Sequence, residues 1–327
     1  MLKSINSQSS KLIVIVGPTA SGKSALALRL AKLAQGKPFK KQGIDGAEII
    51  SADSRQIYRG MDIGTAKSSK AELKRIKHWL VGIRNPDQEY SVVDFKKDAI
   101  SRINKILKAG KIPILVGGTG LYVDAVVKNL DIPEVKENKK LRIKIENEIK
   151  TQGMDFVFKK LIALDPEAAY IVDPKNPRRI IRALEVAITT GKPFTSQRKA
   201  GKPLFDTLQI GIRQNPEVLK KRIEKRARLM IEDGLVDEVK KLIKRYGTKQ
   251  KAFDAIGYRE IIEYLNGKIT LAEAIDMINK NTWHYARRQM TWFKRNQNIH
   301  WIADNKKTKL MQIIKNFCVN KSKSVLI

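Results

Sequence analysis

The sequence predicts an α/β protein in which helices flank a parallel sheet and an all-helical lobe interrupts the core. Three observations carry this expectation. Short β-branched apolar runs alternate with helical segments from Lys11 to about Leu130, a glycine-rich loop follows the first run, and strand character disappears from about Asp131 to Lys192.

In chain order, Lys11–Val16 is an apolar run that ends at a glycine, and Ser24–Gln35 follows with helical periodicity. Ala47–Ser51 reads as a second strand, entered after a basic stretch, Gly36–Gly46, that reads as a surface insertion. Trp79–Ile83 and Ile112–Val116 are two further strands, separated by the amphipathic segment Val92–Ala109. From Asp131 onward the pattern becomes a set of charged helices broken at Gly153, Asp165-Pro166 and Asn176-Pro177. Strand character returns at Leu204–Ile212, and after Asn215-Pro216 the remainder reads as largely helical. Thr270 followed by Glu273 forms a capping box for a helix running through Met277, Trp283 and Arg287 toward Arg295. The expected division is a first core segment over 1–130, a helical lobe over 131–204, a resumed core over 205–303 and a basic tail over 304–327.

Composition narrows the class. A chain of 327 residues is long enough for two lobes, and 65 lysines and arginines against 33 acidic residues leave a formal charge of +32. A polyanionic partner explains such an excess; a lysine-biased composition scattered over solvated helix faces is the alternative. One cysteine, Cys318, and the separated His78, His284 and His300 provide neither a disulfide nor a zinc site, so a cytoplasmic, zinc-free chain is expected. No apolar run is long enough to span a membrane, and the polar start Met1–Ser10 reads as a frayed terminus.

Gly17, Pro18, Thr19, Ala20, Ser21, Gly22, Lys23 and Ser24 match G-x-x-x-x-G-K-[ST] between a predicted strand and a predicted helix, which makes the fold P-loop NTPase-like. Such a loop turns backbone N–H groups onto phosphate oxygens, Lys23 adds a positive charge, and the Ser24 hydroxyl suits Mg2+. The motif leaves open whether the phosphates belong to a nucleotide or to another pyrophosphate. Asp53 lies just past the carboxyl end of the second strand, the edge where open α/β sheets bind ligands. There it can hold magnesium through water, accept a hydrogen bond, remove a proton or simply cap a turn. The strand Ile112–Val116 runs into Gly117-Gly118-Thr119-Gly120, where a P-loop hydrolase carries an aspartate for magnesium. These glycines read either as room for a bulky ligand or as a tight strand-to-helix connection.

Several stretches together resemble the bacterial tRNA dimethylallyltransferases, also called tRNA isopentenyltransferases. They are Gly17–Ser24, Ile50–Tyr58, Gly60–Lys67, Leu115–Tyr122, Arg178–Val186, Gly257-Tyr258-Arg259 and Arg287–Trp292, and they span nearly the whole chain in the family's order. The resemblance implies transfer of a dimethylallyl group from dimethylallyl pyrophosphate to the exocyclic N6 amine of the adenosine 3′ of the anticodon. By the same resemblance Thr19–Ser24 cradle the pyrophosphate, Asp53 is the general base and Thr119 touches the target nucleotide. Arg222 and Arg226 are candidates for a further charge on the leaving pyrophosphate. Family contacts to the anticodon stem-loop carry over to Asp53, Ser54, Arg55 and Gln56, to Arg142, and to Arg178, Arg179, Ile180, Ile181 and Arg182. They carry over also to Asp254, Gly257, Tyr258 and Arg259, and to Arg287, Arg288, Gln289, Thr291 and Lys294. A monomer is expected, with Mg2+ as cofactor.

Two features depart from the family pattern. Gly36–Gly46 lengthens one connection, and Asp254 replaces an arginine found in some relatives, where a carboxylate would repel phosphate. Nothing after Trp301 supplies the zinc-finger ligands that eukaryotic relatives append. For Trp283 and Trp292 core packing competes with base stacking. Two other readings stand beside the resemblance. A small-molecule or nucleotide kinase would share the loop but not need the charge, and an RNA-binding protein with a vestigial loop would not need Lys23, Ser24 and Asp53.

Overall fold

The computed structural model describes residues 10–303 except 42, 134, 136 and 198, together with 310, 313, 314 and 316–318. The expected frayed terminus therefore lies outside the described residues except for Ser10, as does most of the expected basic tail. The chain divides into a unit formed by Met1–Val126 and Leu204–Ile327 and a second unit formed by Val127–Pro203.

The larger unit is built on a six-stranded sheet, β1 (Lys11–Val16), β2 (Ala47–Ser51), β3 (His78–Trp79), β4 (Ile112–Val116), β5 (Asp206–Arg213) and β6 (Ile299–Ala303), in the order β3-β2-β4-β1-β5-β6. Every pairing is parallel. β1, β2 and β4 are buried at every position, as expected of central strands covered on both faces. Helices α1 (Lys23–Leu33), α2 (Lys37–Lys40), α3 (Lys70–Arg75), α4 (Val92–Lys108) and α5 (Gly120–Val127) connect the early strands. Ile13, Ile15, Ile49, Ile114 and Ile210 pack with Leu26, Ala27 and Leu30 of α1 in one core cluster.

Three local expectations need correction. Gly36–Gly46 is not only a surface insertion, because Phe39 is buried in that same core cluster. β3 is two residues long rather than five: Leu80 takes a φ of 62°, which turns the chain out of strand geometry. The amides of Gly82 and Ile83 bond the carbonyls of Gln56 and Ile57 instead. The region after Phe293 holds a strand that periodicity missed, β6, which pairs with β5 from Gln209–Ile299 to Arg213–Ala303. It is a short edge strand, only partly buried, so its alternation is faint.

After β5 come α10 (Pro216–Glu232), α11 (Leu235–Tyr246), α12 (Tyr258–Leu265) and α13 (Leu271–Phe293). Thr270 and Glu273 form the capping box that starts α13, each side chain accepting the other residue's backbone N–H. A second core cluster joins Ile57 and Met61 to Met230, Leu235, Phe253, Tyr258 and Ile261.

The smaller unit is helical: α6 (Lys139–Gln152), α7 (Met154–Leu164), α8 (Ala168–Ile171) and α9 (Pro177–Thr190). Its breaks fall at Gly153, which has a φ of 86°, at Asp165, and at Asn176, which caps α9 ahead of Pro177. Inside it, the fully buried Glu185 carboxylate accepts from the Asn138 amide and from the guanidinium groups of Arg142 and Arg182. Burial works against its charge, but those donors hold its carboxyl below the usual carboxylate range.

Candidate active site

The loop between β1 and α1 is shaped by three positive φ values, 143° at Gly17, 60° at Ala20 and 93° at Gly22. A Cβ on Gly17 would stand 2.8 Å from the Ile212 carbonyl oxygen, so β5 requires glycine there. Gly22 begins α1 with no side-chain cap, which leaves the first-turn amides for an anion. The Lys23 ammonium folds back to donate to the Pro18 carbonyl at 2.6 Å. Ser21 Oγ is buried without a hydrogen-bond partner, an unmet polar group of the kind a ligand satisfies.

Burial pushes the Lys23 amine down from 10.5 to about 7; Asp53 acts against that shift and Arg226 adds to it. Arg226 of α10 is likewise lowered by burial and supported by Asp53. Two cations and one carboxylate, from three different elements, therefore lie within electrostatic reach of one another. Arg222 is half-buried one turn earlier on α10.

Asp53 does cap a turn: its Oδ1 accepts from the amides of Arg55 at 2.9 Å and Gln56 at 3.4 Å. Capping and participation in the site are not exclusive, because among the described residues only Oδ1 is used in the turn. Thr119 faces the same turn, its Oγ1 accepting the Ser54 amide at 3.1 Å while its own amide donates to the Ala52 carbonyl at 3.3 Å.

The second glycine turn is glycine-rich because the fold packs onto it, not because it leaves space for a bulky ligand. A Cβ on Gly117 would lie 2.1 Å from the Ala52 oxygen, one on Gly118 2.0 Å from Gln289 Nε2, and one on Gly120 2.3 Å from Trp292 Cδ1. α13 thus presses Gln289 and Trp292 against the turn, and Trp292 Nε1 donates to Asp124 at 3.2 Å. Trp283 packs with Leu219, Ile223 and Ala286. For both tryptophans core packing is the role the structure displays.

α13 also supplies Tyr285, which lies outside the stretches that carry the family resemblance. Burial, followed by Asp53, pushes its hydroxyl up to about 12, while Thr119 and Gln289 act against the shift. No spacing signal marks it; only the register of α13 over the loop brings it there.

The expected RNA-contact residues fall into two groups. Arg287, Arg288, Thr291 and Lys294 are exposed on α13, Arg178 and Arg179 are exposed on α9, and Ser54 and Arg55 are half-buried beside Asp53. Others serve the fold. Ile180 and Ile181 lie in the core of the smaller unit, and Arg142 and Arg182 are bound to Glu185. The Gln56 side chain is tied to Ser51, Thr65 and Ala66. Tyr258 is fully buried beside Gly257, whose φ is 98°, and Arg259 pairs with the buried Glu260 at 2.8 Å. Gln289 is buried and bonds protein groups on both sides. Arg259 is nevertheless exposed, and Arg142, Arg182 and Gln56 are half-buried, whereas Ile180, Ile181, Tyr258 and Gln289 are buried.

Among the described residues no group of three histidine, cysteine or acidic side chains could hold a metal ion by itself. The exposed Ser24 hydroxyl, in the first turn of α1, is the oxygen here whose chemistry would suit Mg2+. No helix among the described residues is long and apolar enough to cross a membrane.

A family model described as IPP transferase matches residues 56–296. The tRNA dimethylallyltransferase of Acetivibrio thermocellus is 42% identical over 309 residues, covering 93% of this chain and 95% of that protein. The solved full-length tRNA isopentenylpyrophosphate transferase of Bacillus halodurans aligns at a TM-score of 0.67 with 39% identity, over 95% of this chain and 96% of that one. A eukaryotic dimethylallyltransferase solved acting on tRNA aligns at 0.76 with 27% identity, over 96% of this chain and 81% of that one. With a phosphate loop, Asp53 and Thr119 gathered at one end of the sheet, and with matches of this extent, the chain belongs to the IPP transferase family.

Proposed function

We propose that this protein transfers the dimethylallyl group of dimethylallyl pyrophosphate to the N6 amine of the adenosine 3′ of the anticodon in tRNA, releasing pyrophosphate. The observation that carries this reading is the uncapped start of α1 at the phosphate loop, with Asp53 electrostatically coupled to Lys23 and Arg226. The bond that breaks joins the allylic carbon to the pyrophosphate oxygen, and the bond that forms joins that carbon to N6.

The leaving pyrophosphate takes the electron pair, so positive groups fixed before the reaction lower the barrier. Lys23, Arg226 and the first amides of α1 fill that role. Adenine N6 is a weak nucleophile, and Asp53 accepts its proton as the new bond forms. Thr119, held against Ser54, positions the base from the other side of the turn. A bound Mg2+ would neutralise charge on the pyrophosphate, with Ser24, through its hydroxyl, the residue that would hold it. The base must be unstacked to enter, which costs a few kcal/mol and least in a single-stranded loop.

Recognition of tRNA rests on the exposed cations Arg287, Arg288 and Lys294 in the larger unit and on Arg178 and Arg179 in the smaller one. A kinase is disfavoured because β4 ends in tightly packed glycines and carries no magnesium-binding carboxylate there.

The deciding assay offers the protein unmodified tRNA with dimethylallyl pyrophosphate labelled in the prenyl group and, separately, ATP labelled in its terminal phosphate. Prenyl label on the anticodon-loop adenosine is expected. Movement of the ATP label to an acceptor, with none from the prenyl donor, overturns the reading.

A further inference from the structure

Gln289 joins two loops that the sequence places far apart. Its Oε1 accepts the Thr19 amide at 2.7 Å and its Nε2 donates to the Gly118 carbonyl at 2.9 Å. The side chain is 5% exposed, so water does not compete for either bond. Thr19 belongs to the loop that receives the donor's pyrophosphate, and Gly118 precedes Thr119 on the turn that faces the acceptor. A single amide group therefore spans the donor side and the acceptor side of the site.

Gly118 points to the same arrangement independently. Any side chain there would occupy the space of Gln289 Nε2, since a Cβ would lie 2.0 Å from it. The helix that carries Gln289 carries Tyr285 one turn earlier, in reach of Thr119, and Trp292 almost one turn later, bonded to Asp124. One face of α13 thus braces the reacting end of the sheet.

We propose that Gln289 is a positioning residue: its amide sets the separation between the donor's leaving pyrophosphate and the Thr119 turn that orients the acceptor. This inference rests on the transferase reading above. In-line displacement at carbon is steep in distance, and a misplacement of about 1 Å costs about a hundredfold in rate. Removing the strap should therefore lower turnover while both substrates still bind.

The test compares Gln289→Met, which keeps length and bulk without the amide, with Gln289→Ala, Gly118→Ala and the Gly118→Ala/Gln289→Ala pair. For Gln289→Met, kcat for prenyl transfer should fall by about tenfold or more, KM for dimethylallyl pyrophosphate and for tRNA should each stay within about threefold, and the share of donor lost to water should rise. Gly118→Ala should give the same pattern by displacing the amide, and the pair should be no slower than the slower single variant, because both changes remove one interaction.

Three results overturn the proposal: unchanged kcat in Gln289→Met, a rise in tRNA KM with kcat preserved, or effects of the two alanine variants that multiply. Collapse of the fold in Gln289→Met, seen by thermal melting, also overturns it by assigning the strap to stability. The unsubstituted protein separates the two claims. Failure of its prenyl transfer sinks the proposed function, whereas normal transfer by both the unsubstituted protein and Gln289→Met sinks only the strap.

Discussion

The Tyr258 hydroxyl donates to Glu238 Oε1 at 2.5 Å, and the same carboxylate accepts the amides of Asp62, Ile63 and Gly64. Gly64 has no room for a Cβ, which would lie 2.5 Å from the Tyr258 ring. The Gly60–Lys67 stretch and the Gly257-Tyr258-Arg259 stretch are therefore parts of one packed arrangement around Glu238. Glu238 belongs to neither and was not singled out from the sequence. Burial first, then Glu238, pushes the Tyr258 phenol well above its ordinary value, which keeps it a donor.

Glu238→Gln should destabilise the protein by about 1–3 kcal/mol, because an amide replaces one acceptor oxygen with a donor facing other donors. Urea unfolding monitored by circular dichroism checks this. A midpoint equal to that of the unsubstituted protein would show that the carboxylate does not hold the loop.

Asp53→Ala should reduce single-turnover prenyl transfer by about 10²–10⁴-fold, the usual range for a lost general base, while donor affinity changes little. Rapid quench with excess protein measures the chemical step directly. Retention of the native rate would exclude Asp53 from proton removal.

The Lys23 amine, lowered by burial to about 7, makes donor capture sensitive to pH. Only the protonated form attracts pyrophosphate, so kcat/KM for the donor should decline as pH rises through about 7, reporting the free protein. The effect on folding has the opposite sign. Between about 7 and 10.5 the unfolded chain binds the proton that the folded one has lost, so this group favours the folded state more as pH rises through that window. Lys23→Arg keeps its charge throughout and should flatten the kinetic profile if it still binds donor.

Arg287→Ala and Arg288→Ala should weaken tRNA binding and each reduce the slope of log K against log salt by about 0.7–0.9 if each contacts one phosphate. Arg142→Ala should behave differently. It leaves Glu185 with fewer partners in the core of the smaller unit and should cost about 2 kcal/mol of stability, with the salt slope unchanged. Filter binding over a salt series, alongside thermal melts, separates the two classes.

Where function depends on neighbours in the chain, it was legible. Residues 17–24 carry their own glycines, lysine and hydroxyl, and β1 and α1 on either side follow from local periodicity. The breaks of the helical unit at Gly153, Asp165 and Asn176 were legible for the same reason, since capping and turn chemistry act within a few residues. That Ile180 and Ile181 pack into the core of the smaller unit was not legible, because motif membership does not reveal which face of a helix is buried. β6 was missed because an edge strand shows little alternation.

The amino-acid sequence on its own determined the phosphate loop, the alternation that builds a parallel sheet, the strongly basic charge and the motifs that mark the family. Tertiary structure alone decided that Gln289 bridges Thr19 and Gly118, that Arg226 and Tyr285 join Asp53, and that Glu238 holds the Gly60–Lys67 stretch. The physical reason is distance along the chain. Capping, turn and periodicity signals decay within one or two helical turns, whereas Thr19 and Gln289 are 270 residues apart and meet only after the sheet and α13 have packed.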